Sequence, residues 1–401
     1  VIPINTESKS LYESISFPVI KFKEFADEIW EDSTLSLQIS KILFIPVGRN
    51  QRLVEMRNRV LEKAFFWSPD GSRIGFYRFD ETRVKEFSMA KYGNLYPFDY
   101  KFKYPKAGED NAIVSIYIYD LKTRKAAEID LGNGFEYIPR IKWTKDPGML
   151  TIQRMNRHQN ELELLVADAN TGKVNVILKE KRDTYVDISD DLTFLDDGKS
   201  FIWTSDRDGY RHIYHYNISG KLINQVTAGK WDVTSFLGVD EENDKIYYIG
   251  AENIITKKKV VNVRDIVDIP MHQLKFLTSA ANPLVRNLYV VDLDGTSKKT
   301  LSKNNGSNSA SFSKGFKYYI NYYSDANSPK HITLHSSDGT EIRVLEDNKE
   351  LIKTISEYEI SRKDFFSFKT SENVELNGWI IKPADFDQKK IKKYKFPYTN
   401  R

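Results

Sequence analysis

The stretch Phe201-Ile-Trp-Thr-Ser-Asp-Arg-Asp-Gly-Tyr-Arg-His-Ile-Tyr decides the fold class of this chain. Two runs rich in aromatic and β-branched residues flank a polar Asp-Arg-Asp-Gly segment, as in two strands joined by a tight turn. Runs of the same kind, such as Arg73-Ile-Gly-Phe-Tyr and Ser115-Ile-Tyr-Ile-Tyr, recur along the chain. Their alternation is typical of half-buried strands. The sequence therefore predicts an antiparallel, almost all-β fold.

Two kinds of turn repeat out of phase along the chain. The first kind begins at Asp120, Asp168, Asn217, Asp292 and Ser337. The second kind, an aromatic residue followed by a polar stretch with glycine, begins at Trp67, Trp143, Phe194 and Phe312. Two interleaved hairpins per repeat predict a four-stranded sheet, and a period of about 40–50 residues with such sheets is typical of a β-propeller.

The repeat also divides the chain into regions. Removing about 30 residues from the stretch 252–281, which interrupts the strand pattern, restores the period and indicates an insertion. About five blades are then recognisable in residues 64–346. We therefore expect a propeller domain over 63–350, an unassigned region at 1–62, and linker strands with a basic tail over 351–401.

Composition excludes several classes of function. The 401 residues carry a net charge of only +4 with interspersed signs, so no basic stripe indicates nucleic acid. Cysteine is absent, which excludes disulfides, thiolate catalysis and zinc sites built on cysteine. No run approaches the roughly 18 apolar residues of a membrane span. The N-terminal residues also lack the basic-then-apolar order of a secretory signal. We expect a soluble chain without cofactor, although a signal removed before residue 1 stays open.

Longer motifs resemble one family of peptidases. Phe66-Trp-Ser-Pro-Asp-Gly, Phe76-Tyr-Arg-Phe-Asp-Glu-Thr-Arg-Val-Lys-Glu-Phe and Phe102-Lys-Tyr-Pro-Lys-Ala-Gly-Glu occur in that order. Together with Trp203-Thr-Ser-Asp-Arg-Asp-Gly-Tyr-Arg-His-Ile-Tyr, they resemble the propeller of the dipeptidyl peptidase IV subfamily of prolyl-oligopeptidase-like serine peptidases. Val374-Glu-Leu-Asn-Gly-Trp-Ile-Ile-Lys-Pro resembles the strands that lead into the α/β-hydrolase domain of that family.

The resemblance implies an eight-bladed propeller, so the early blades are missing or replaced here. It also implies a surrounding enzyme that removes dipeptides from peptide N-termini after a penultimate Pro or Ala. The family places its catalytic Ser, Asp and His in the hydrolase domain, whereas this chain contains no Gly-x-Ser-x-Gly. We therefore expect the chain to end at the start of an absent hydrolase domain and to be inactive alone.

The two peptide-binding features of the family are matched only in part. A pair of adjacent glutamates captures the substrate ammonium group in the family, but here its place holds Glu62 followed by Lys63, which we interpret as solvated surface residues. Tyr185 lies about where the family presents an aromatic side chain to the second pocket for the peptide. The alternative is that Tyr185 is a strand-edge residue packed between blades.

Another polar group, formed by Arg207, Asp208 and His212, has the composition of a catalytic or metal-binding cluster. However, His212 and His215 are three residues apart, which places them on opposite faces of a strand and disfavours joint metal binding. An Arg–Asp pair beside a hairpin usually fixes the turn. We therefore interpret the whole cluster as structural.

Two further patterns are assigned no role in binding metal or substrate. The acidic turns at 190–191 and 196–197 lack the ligand spacing of a calcium loop and are explained by turn chemistry. The sequons Asn217-Ile-Ser and Asn305-Gly-Ser matter only in a glycosylating secretory pathway.

The sequence supports three functional hypotheses. The chain is the non-catalytic propeller of a dipeptidyl-peptidase-IV-like enzyme, which gates and positions peptides beside an α/β-hydrolase domain. Alternatively, it is a stand-alone propeller that binds peptides or proteins, or a truncated gene product. We favour the first hypothesis. The resemblance suggests a periplasmic or extracellular location, and whether two copies form a homodimer stays open.

Overall fold

The computed structural model of the protein describes residues 64–252, 274–275, 284–358, 360–369, 371–372, 375–383 and 386. The chain divides into two compact units, Val1–Ile188 and Ser189–Arg401. The described parts of both units consist mainly of antiparallel four-stranded sheets, so the prediction of an all-β fold of propeller blades is confirmed.

The described residues of the first unit form two blades and one additional hairpin. Its strands are β1 (Phe65–Trp67), β2 (Arg73–Asp80), β3 (Glu86–Lys91), β4 (Phe98–Lys103), β5 (Ile113–Asp120), β6 (Lys125–Glu128), β7 (Tyr137–Trp143), β8 (Met149–Met155), β9 (Glu161–Asp168) and β10 (Val174–Lys181). Blade I has the strand order β1-β2-β5-β6, and blade II has the order β7-β8-β9-β10. The hairpin β3–β4 is inserted between the second and third strands of blade I.

The second unit, where the structure describes it, has three blades followed by a helix and a smaller sheet. Its elements are β11 (Thr193–Phe194), β12 (Ser200–Ser205), β13 (His212–Asn217), β14 (Leu222–Gln225), β15 (Val233–Asp240), β16 (Lys245–Gly250), β17 (Leu274–Lys275), β18 (Asn287–Asp292), β19 (Lys299–Thr300), β20 (Ser307–Phe312), β21 (Tyr318–Asp325), β22 (Ser328–Ser336), β23 (Glu341–Glu346), α1 (Lys349–Ser356), β24 (Lys363–Lys369) and β25 (Glu375–Ile381). Blades III, IV and V are β11–β14, β15-β16-β18-β19 and β20–β23. Strands β17, β24 and β25 form a three-stranded sheet.

The repeating turns join the strands as the sequence predicts. Turns of the first kind link the third and fourth strands of a blade, and turns of the second kind link the first and second strands. Asp168 Oδ1 accepts backbone N–H groups two and three residues ahead, both at 2.8 Å, and Asp197 Oδ1 does the same at 2.8 and 3.0 Å. These bonds stabilise tight turns, and they hold the pKa of Asp168 below its ordinary value.

Blades I and II pack face to face because a glycine lets them approach. A Cβ atom on Gly75 of β2 would lie 3.2 Å from the side chain of Leu150 and 3.5 Å from the ring nitrogen of Trp143. That nitrogen donates a hydrogen bond of 2.8 Å to the carbonyl oxygen of Phe66. Tyr77 and Leu150 are fully buried in the resulting core. The contact covers sheet faces that neither blade could bury alone.

In the second unit, aromatic rings fill the spaces between the sheets. Trp231 and Tyr248 stack in the core around blade IV with ring centroids 5.9 Å apart. On its other face, Tyr247 contacts Phe312 of blade V at a centroid distance of 4.4 Å. Offset aromatic pairs of this kind combine a large buried apolar area with a preferred geometry.

Blade IV is continuous across the stretch that the sequence marks as inserted. Strand β16 pairs directly with β18, and the ladder ends at the pair Gly250–Asn287. The carbonyl oxygen of Glu252 accepts hydrogen bonds from the Asn287 side chain at 2.7 Å and the Tyr289 hydroxyl at 2.8 Å. Most of the predicted insertion, the region 1–62 and the basic tail lie outside the described residues.

The chain after blade V has two predicted strands and one helix that was not predicted. β24 and β25 pair antiparallel over their whole length, as the sequence suggests. β17 adds to the free edge of β24 through the pairs Leu274–Phe368 and Lys275–Ser367. The helix α1 has no buried residue, and its apolar side chains Leu351 and Ile352 are 46% and 47% exposed.

We expect Leu150→Ala to lower the free energy of unfolding by about 2–5 kcal/mol, because it opens a cavity opposite Gly75. The measurement is chemical unfolding followed by tryptophan fluorescence. The control is Val176→Ala on β10, where the side chain is 49% exposed. A loss at Leu150 no larger than at Val176 would contradict the assignment of this contact as the core between blades I and II.

Candidate substrate-positioning site

Tyr185 lies in the connection between β10 and β11 and belongs to no strand. Its side chain is 62% exposed. Tyr185 is therefore not a strand-edge residue, and its packing between blades stays an untested alternative. The contact between Tyr185 and a peptide stays a prediction.

The backbone on both sides of Tyr185 is anchored to the turn that joins β8 and β9. The N–H of Arg182 donates a hydrogen bond of 3.0 Å to the carbonyl of Asn160. The N–H of Val186 donates one of 2.8 Å to the carbonyl of Gln159, and the Val186 side chain is buried. The short segment between these anchors therefore presents Tyr185 to solvent from a fixed base.

The β8–β9 turn is closed by hydrogen bonds of its own. The carbonyl of Asn156 accepts the N–H of Gln159 at 3.0 Å. The Asn156 side chain accepts the N–H of Asn160 at 3.1 Å and donates to the Asn160 side chain at 2.8 Å. Gln159 has a φ of 56°, in the left-handed region that such a tight turn requires.

Arg157 connects this turn to two other segments of the first unit. Its guanidinium donates hydrogen bonds to Glu136 Oε1 at 2.8 Å and to the carbonyl of Glu109 at 2.7 Å. The Asn111 side chain donates to the same Glu136 oxygen at 2.7 Å and to the Tyr137 hydroxyl at 3.2 Å. Glu109 ends the motif that begins at Phe102, so the network brings that motif to the base of the Tyr185 segment.

All the segments involved lie at one end of the sheets of blades I and II. In an antiparallel blade, the connection between the second and third strands and the connection that leaves the fourth strand share an end. Lys85 and Glu109 form an exposed ion pair there at 2.6 Å, and this contact raises the pKa of Lys85. An aromatic ring on a hydrogen-bonded frame can contact and orient a peptide, but it supplies no nucleophile.

Arg207 and Asp208, the other candidate residues, are held by neighbours in blade III. The Arg207 guanidinium donates to the hydroxyl oxygens of Ser205 and Tyr216 and lies 4.5 Å from the ring centroid of Tyr214. Asp208 accepts the N–H of Tyr210 at 3.2 Å and the side chain of Gln225 at 3.1 Å. These contacts support the structural interpretation of both residues.

The two histidines of β13 are separately buried. His212 is fully buried, with its ring nitrogens 3.1 Å from the Thr227 hydroxyl and 2.9 Å from the Gly229 carbonyl. His215 pairs in register with Ile202. Burial lowers the pKa of His215 below its ordinary value. Among the described residues, no group of three His, Cys, Asp or Glu side chains converges on a point that could hold a metal ion.

The remaining candidate residues have protein partners where they are described. Asp191 accepts hydrogen bonds from Thr204 at 2.8 Å and Arg211 at 2.9 Å. The side-chain oxygens of the sequon residues Asn217 and Asn305 accept hydrogen bonds within the chain. Glu62 and Lys63 lie outside the described residues.

The sequence did not predict the frame beneath Tyr185, by which we mean the hydrogen-bonded network of Arg157, Glu136, Asn111 and Glu109. Asn111, Glu136 and Arg157 belong to three different connections, and no local motif links them. The only sequence signal was the position of Glu109 at the end of a recognised motif.

A model of the family described as "Dipeptidyl peptidase IV (DPP IV) N-terminal region" matches residues 60–330, which is more than half of the chain. The chain belongs to this family. The resemblance drawn from the motifs is thereby confirmed.

The proteins that are similar to this chain are also named as dipeptidyl peptidases or dipeptidyl-aminopeptidases. A probable dipeptidyl peptidase 4 of Aspergillus flavus is 25% identical over 354 residues, covering 84% of this chain and 42% of that protein. A probable dipeptidyl-aminopeptidase B of Trichophyton verrucosum is 26% identical, covering 82% of this chain and 37% of that protein. The crystal structure of Porphyromonas gingivalis dipeptidyl peptidase 4 matches with a TM-score of 0.69 and 35% identity, over 81% of this chain and 42% of that one.

The chain thus spans less than half the length of these relatives of the dipeptidyl peptidase IV family. In the part of the chain that the structure describes, no helix has the length and apolar character needed to cross a membrane.

Burial lowers the pKa of His215 in the folded state. As the pH falls through about 6.5, His215 is therefore protonated in the unfolded chain before it is protonated in the folded chain. We expect the free energy of unfolding to decrease there, and His215→Gln to reduce this decrease. Chemical unfolding at several pH values measures it, with the exposed His158→Gln as the control for loss of an imidazole. An unchanged pH dependence in the His215 variant would contradict the assignment.

Proposed function

We propose that this chain is the propeller portion of a dipeptidyl-peptidase-IV-like serine peptidase, where it gates access to an α/β-hydrolase domain and positions the peptide. The substrates of the whole enzyme are peptides with a penultimate Pro or Ala, cleaved to release the N-terminal dipeptide. The chain itself performs no acyl transfer. A stand-alone peptide-binding propeller is the alternative.

The proposal rests on two observations. The chain belongs to a family of dipeptidyl peptidase N-terminal regions, and it exposes the side chain of Tyr185 to solvent. The ring is exposed, yet the backbone beside it is fixed through Arg182 and Val186. An aromatic side chain on a fixed backbone offers a large contact area with few rotatable bonds, so binding to it costs little conformational entropy. Strands β24 and β25 supply the other support, because their sequence resembles the entry to a hydrolase domain.

The direct test is release of chromophore from Gly-Pro-p-nitroanilide by the purified chain, alone and mixed with a hydrolase domain of the family. We expect no release by the chain alone and faster release by the mixture than by the hydrolase domain alone, because the propeller supplies positioning. Release by the chain alone would overturn the non-catalytic assignment. A mixture no more active than the hydrolase domain alone would instead favour the stand-alone module.

We propose in addition that two copies of the chain form a homodimer through the hairpin β3–β4. Its tip exposes Tyr92 by 78%, Leu95 by 91% and Tyr96 by 79%. Beside the tip, the Lys91 ammonium lies 5.7 Å from the ring centroid of Tyr100. Several large apolar side chains exposed on one short hairpin tip are typical of an interaction surface.

Sedimentation velocity tests the dimer. We expect the chain to sediment as a dimer at micromolar concentration, and a variant with Leu95→Ser and Tyr96→Ser as a monomer, because two apolar anchors are lost. The control carries Tyr318→Ser and Ile223→Ser, which alter side chains that are 51% and 53% exposed on blades V and III. A dimer that survives the hairpin changes would place the interface elsewhere.

A further inference from the structure

We infer that Arg157 is a positioning residue for Tyr185, and that it thereby sets the preference of the enzyme for the N-terminal side chain of its peptide. This inference rests on the proposed function. Arg157 acts through the β8–β9 turn and touches no substrate. Glu136 is its fixed partner.

The guanidinium of Arg157 fixes the direction of the turn because it binds two segments at once. One nitrogen reaches the carboxylate of Glu136, before β7, at 2.8 Å, and another reaches the carbonyl of Glu109, before β5, at 2.7 Å. A planar guanidinium with two donors at fixed angles constrains orientation more strongly than a single ammonium does. The turn that carries Arg157 therefore has one favoured orientation.

Glu136 is itself held, so the anchor does not move with the turn. Its Oε1 atom accepts a second hydrogen bond, of 2.7 Å, from Asn111. Its backbone N–H donates to the carbonyl of Met155, at the end of β8, at 2.8 Å. The side chain is 20% exposed, which limits its motion.

The orientation passes from the turn to Tyr185 through backbone hydrogen bonds. Gln159 and Asn160, two and three residues after Arg157, accept the N–H groups of Val186 and Arg182 at 2.8 and 3.0 Å. These bonds lie on either side of the exposed Tyr185. A shift of the turn must therefore shift or release the ring.

The Arg157–Glu136 pair contributes little to overall stability, since the Arg157 side chain is 42% exposed and half-exposed ion pairs are weak. Its removal should leave the blades folded. A role in orientation can therefore be separated from a role in folding.

The preference for the N-terminal side chain follows from the proposed pocket. In an enzyme that cleaves after the second residue, the second pocket counted from the scissile bond takes the side chain of the N-terminal residue. Phenylalanine at that position meets Tyr185, whereas glycine has no side chain to meet it. Loss of the frame should therefore weaken binding of Phe-Pro substrates and leave Gly-Pro substrates unaffected.

The first experiment is a double-mutant cycle on the chain mixed with the hydrolase domain, with Phe-Pro- and Gly-Pro-p-nitroanilide. We expect Tyr185→Ala to raise KM for Phe-Pro about two- to tenfold at constant kcat, the range of one aromatic contact. Arg157→Ala should raise it about threefold, and should add nothing when Tyr185 is already alanine. Arg157→Lys should be intermediate, since it keeps the charge but loses the two-donor geometry.

The matched control is Arg78→Ala, which removes another hydrogen-bonded arginine of the first unit, bound to the Tyr117 hydroxyl at 2.9 Å. It should leave KM for both substrates unchanged. Independent, additive effects of Arg157 and Tyr185 would overturn the positioning role while leaving the proposed function intact. No effect of Tyr185→Ala on Phe-Pro would instead overturn the peptide contact proposed for Tyr185.

A second experiment needs no hydrolase domain. Hydrogen exchange of the Val186 amide in the full chain should become about tenfold faster in Arg157→Ala, because the local opening that breaks its bond to Gln159 becomes easier. Glu136→Gln should give a smaller increase, since it keeps an acceptor oxygen but removes the charge. Unchanged exchange at Val186 in Arg157→Ala would overturn the inference whatever the kinetics show.

Discussion

Each blade that the structure describes is a thin four-stranded sheet, and such a sheet cannot bury its apolar faces without neighbouring sheets. Within the first unit this requirement is met where Leu150 and Trp143 of blade II pack against Gly75 of blade I. Within the second unit, Trp231 and Tyr247 do the same on the two sides of blade IV. Because stacking fixes the sheets, the connections at their ends are free to differ in length and sequence.

The candidate site is built from connections at one end of the blades. Its residues come from four connections of the first unit, and hydrogen bonds join these connections into one frame beneath Tyr185. The frame consists of polar groups that are neither deeply buried nor fully solvated. Such groups contribute modestly to stability, yet they hold the backbone on both sides of the exposed Tyr185. If Tyr185 positions a peptide as proposed, positioning and folding depend on different parts of the same blades.

The sequence predicted the features that depend on local pattern. The interleaved turns at residues such as Asp168 and Trp143 identified the third-to-fourth and first-to-second connections, and the count of five blades follows from them. Helix α1 was missed because it has only eight residues and buries none of them, so its periodicity is too short to recognise. The hairpin β3–β4 was not separated from blade I for a similar reason, since its strands carry the same composition as blade strands.

The frame beneath Tyr185 could not be predicted for a different physical reason. Asn111 and Glu136 are 25 residues apart, Glu136 and Arg157 are 21 apart, and Arg157 and Glu109 are 48 apart. Such contacts exist only after two blades have stacked. The exposure of Tyr185 likewise depends on the path of an irregular connection, for which a single sequence carries no periodic signal.

The direct pairing of β16 with β18 has a consequence for engineering. Because the ladder closes at Gly250 and Asn287, the two ends of the connection between them are held one strand spacing apart. A folded module whose own termini lie close together matches this spacing, so its insertion into this connection should strain the β16–β18 ladder little. The connection between the second and third strands of blade IV is thus a suitable insertion site for a reporter domain.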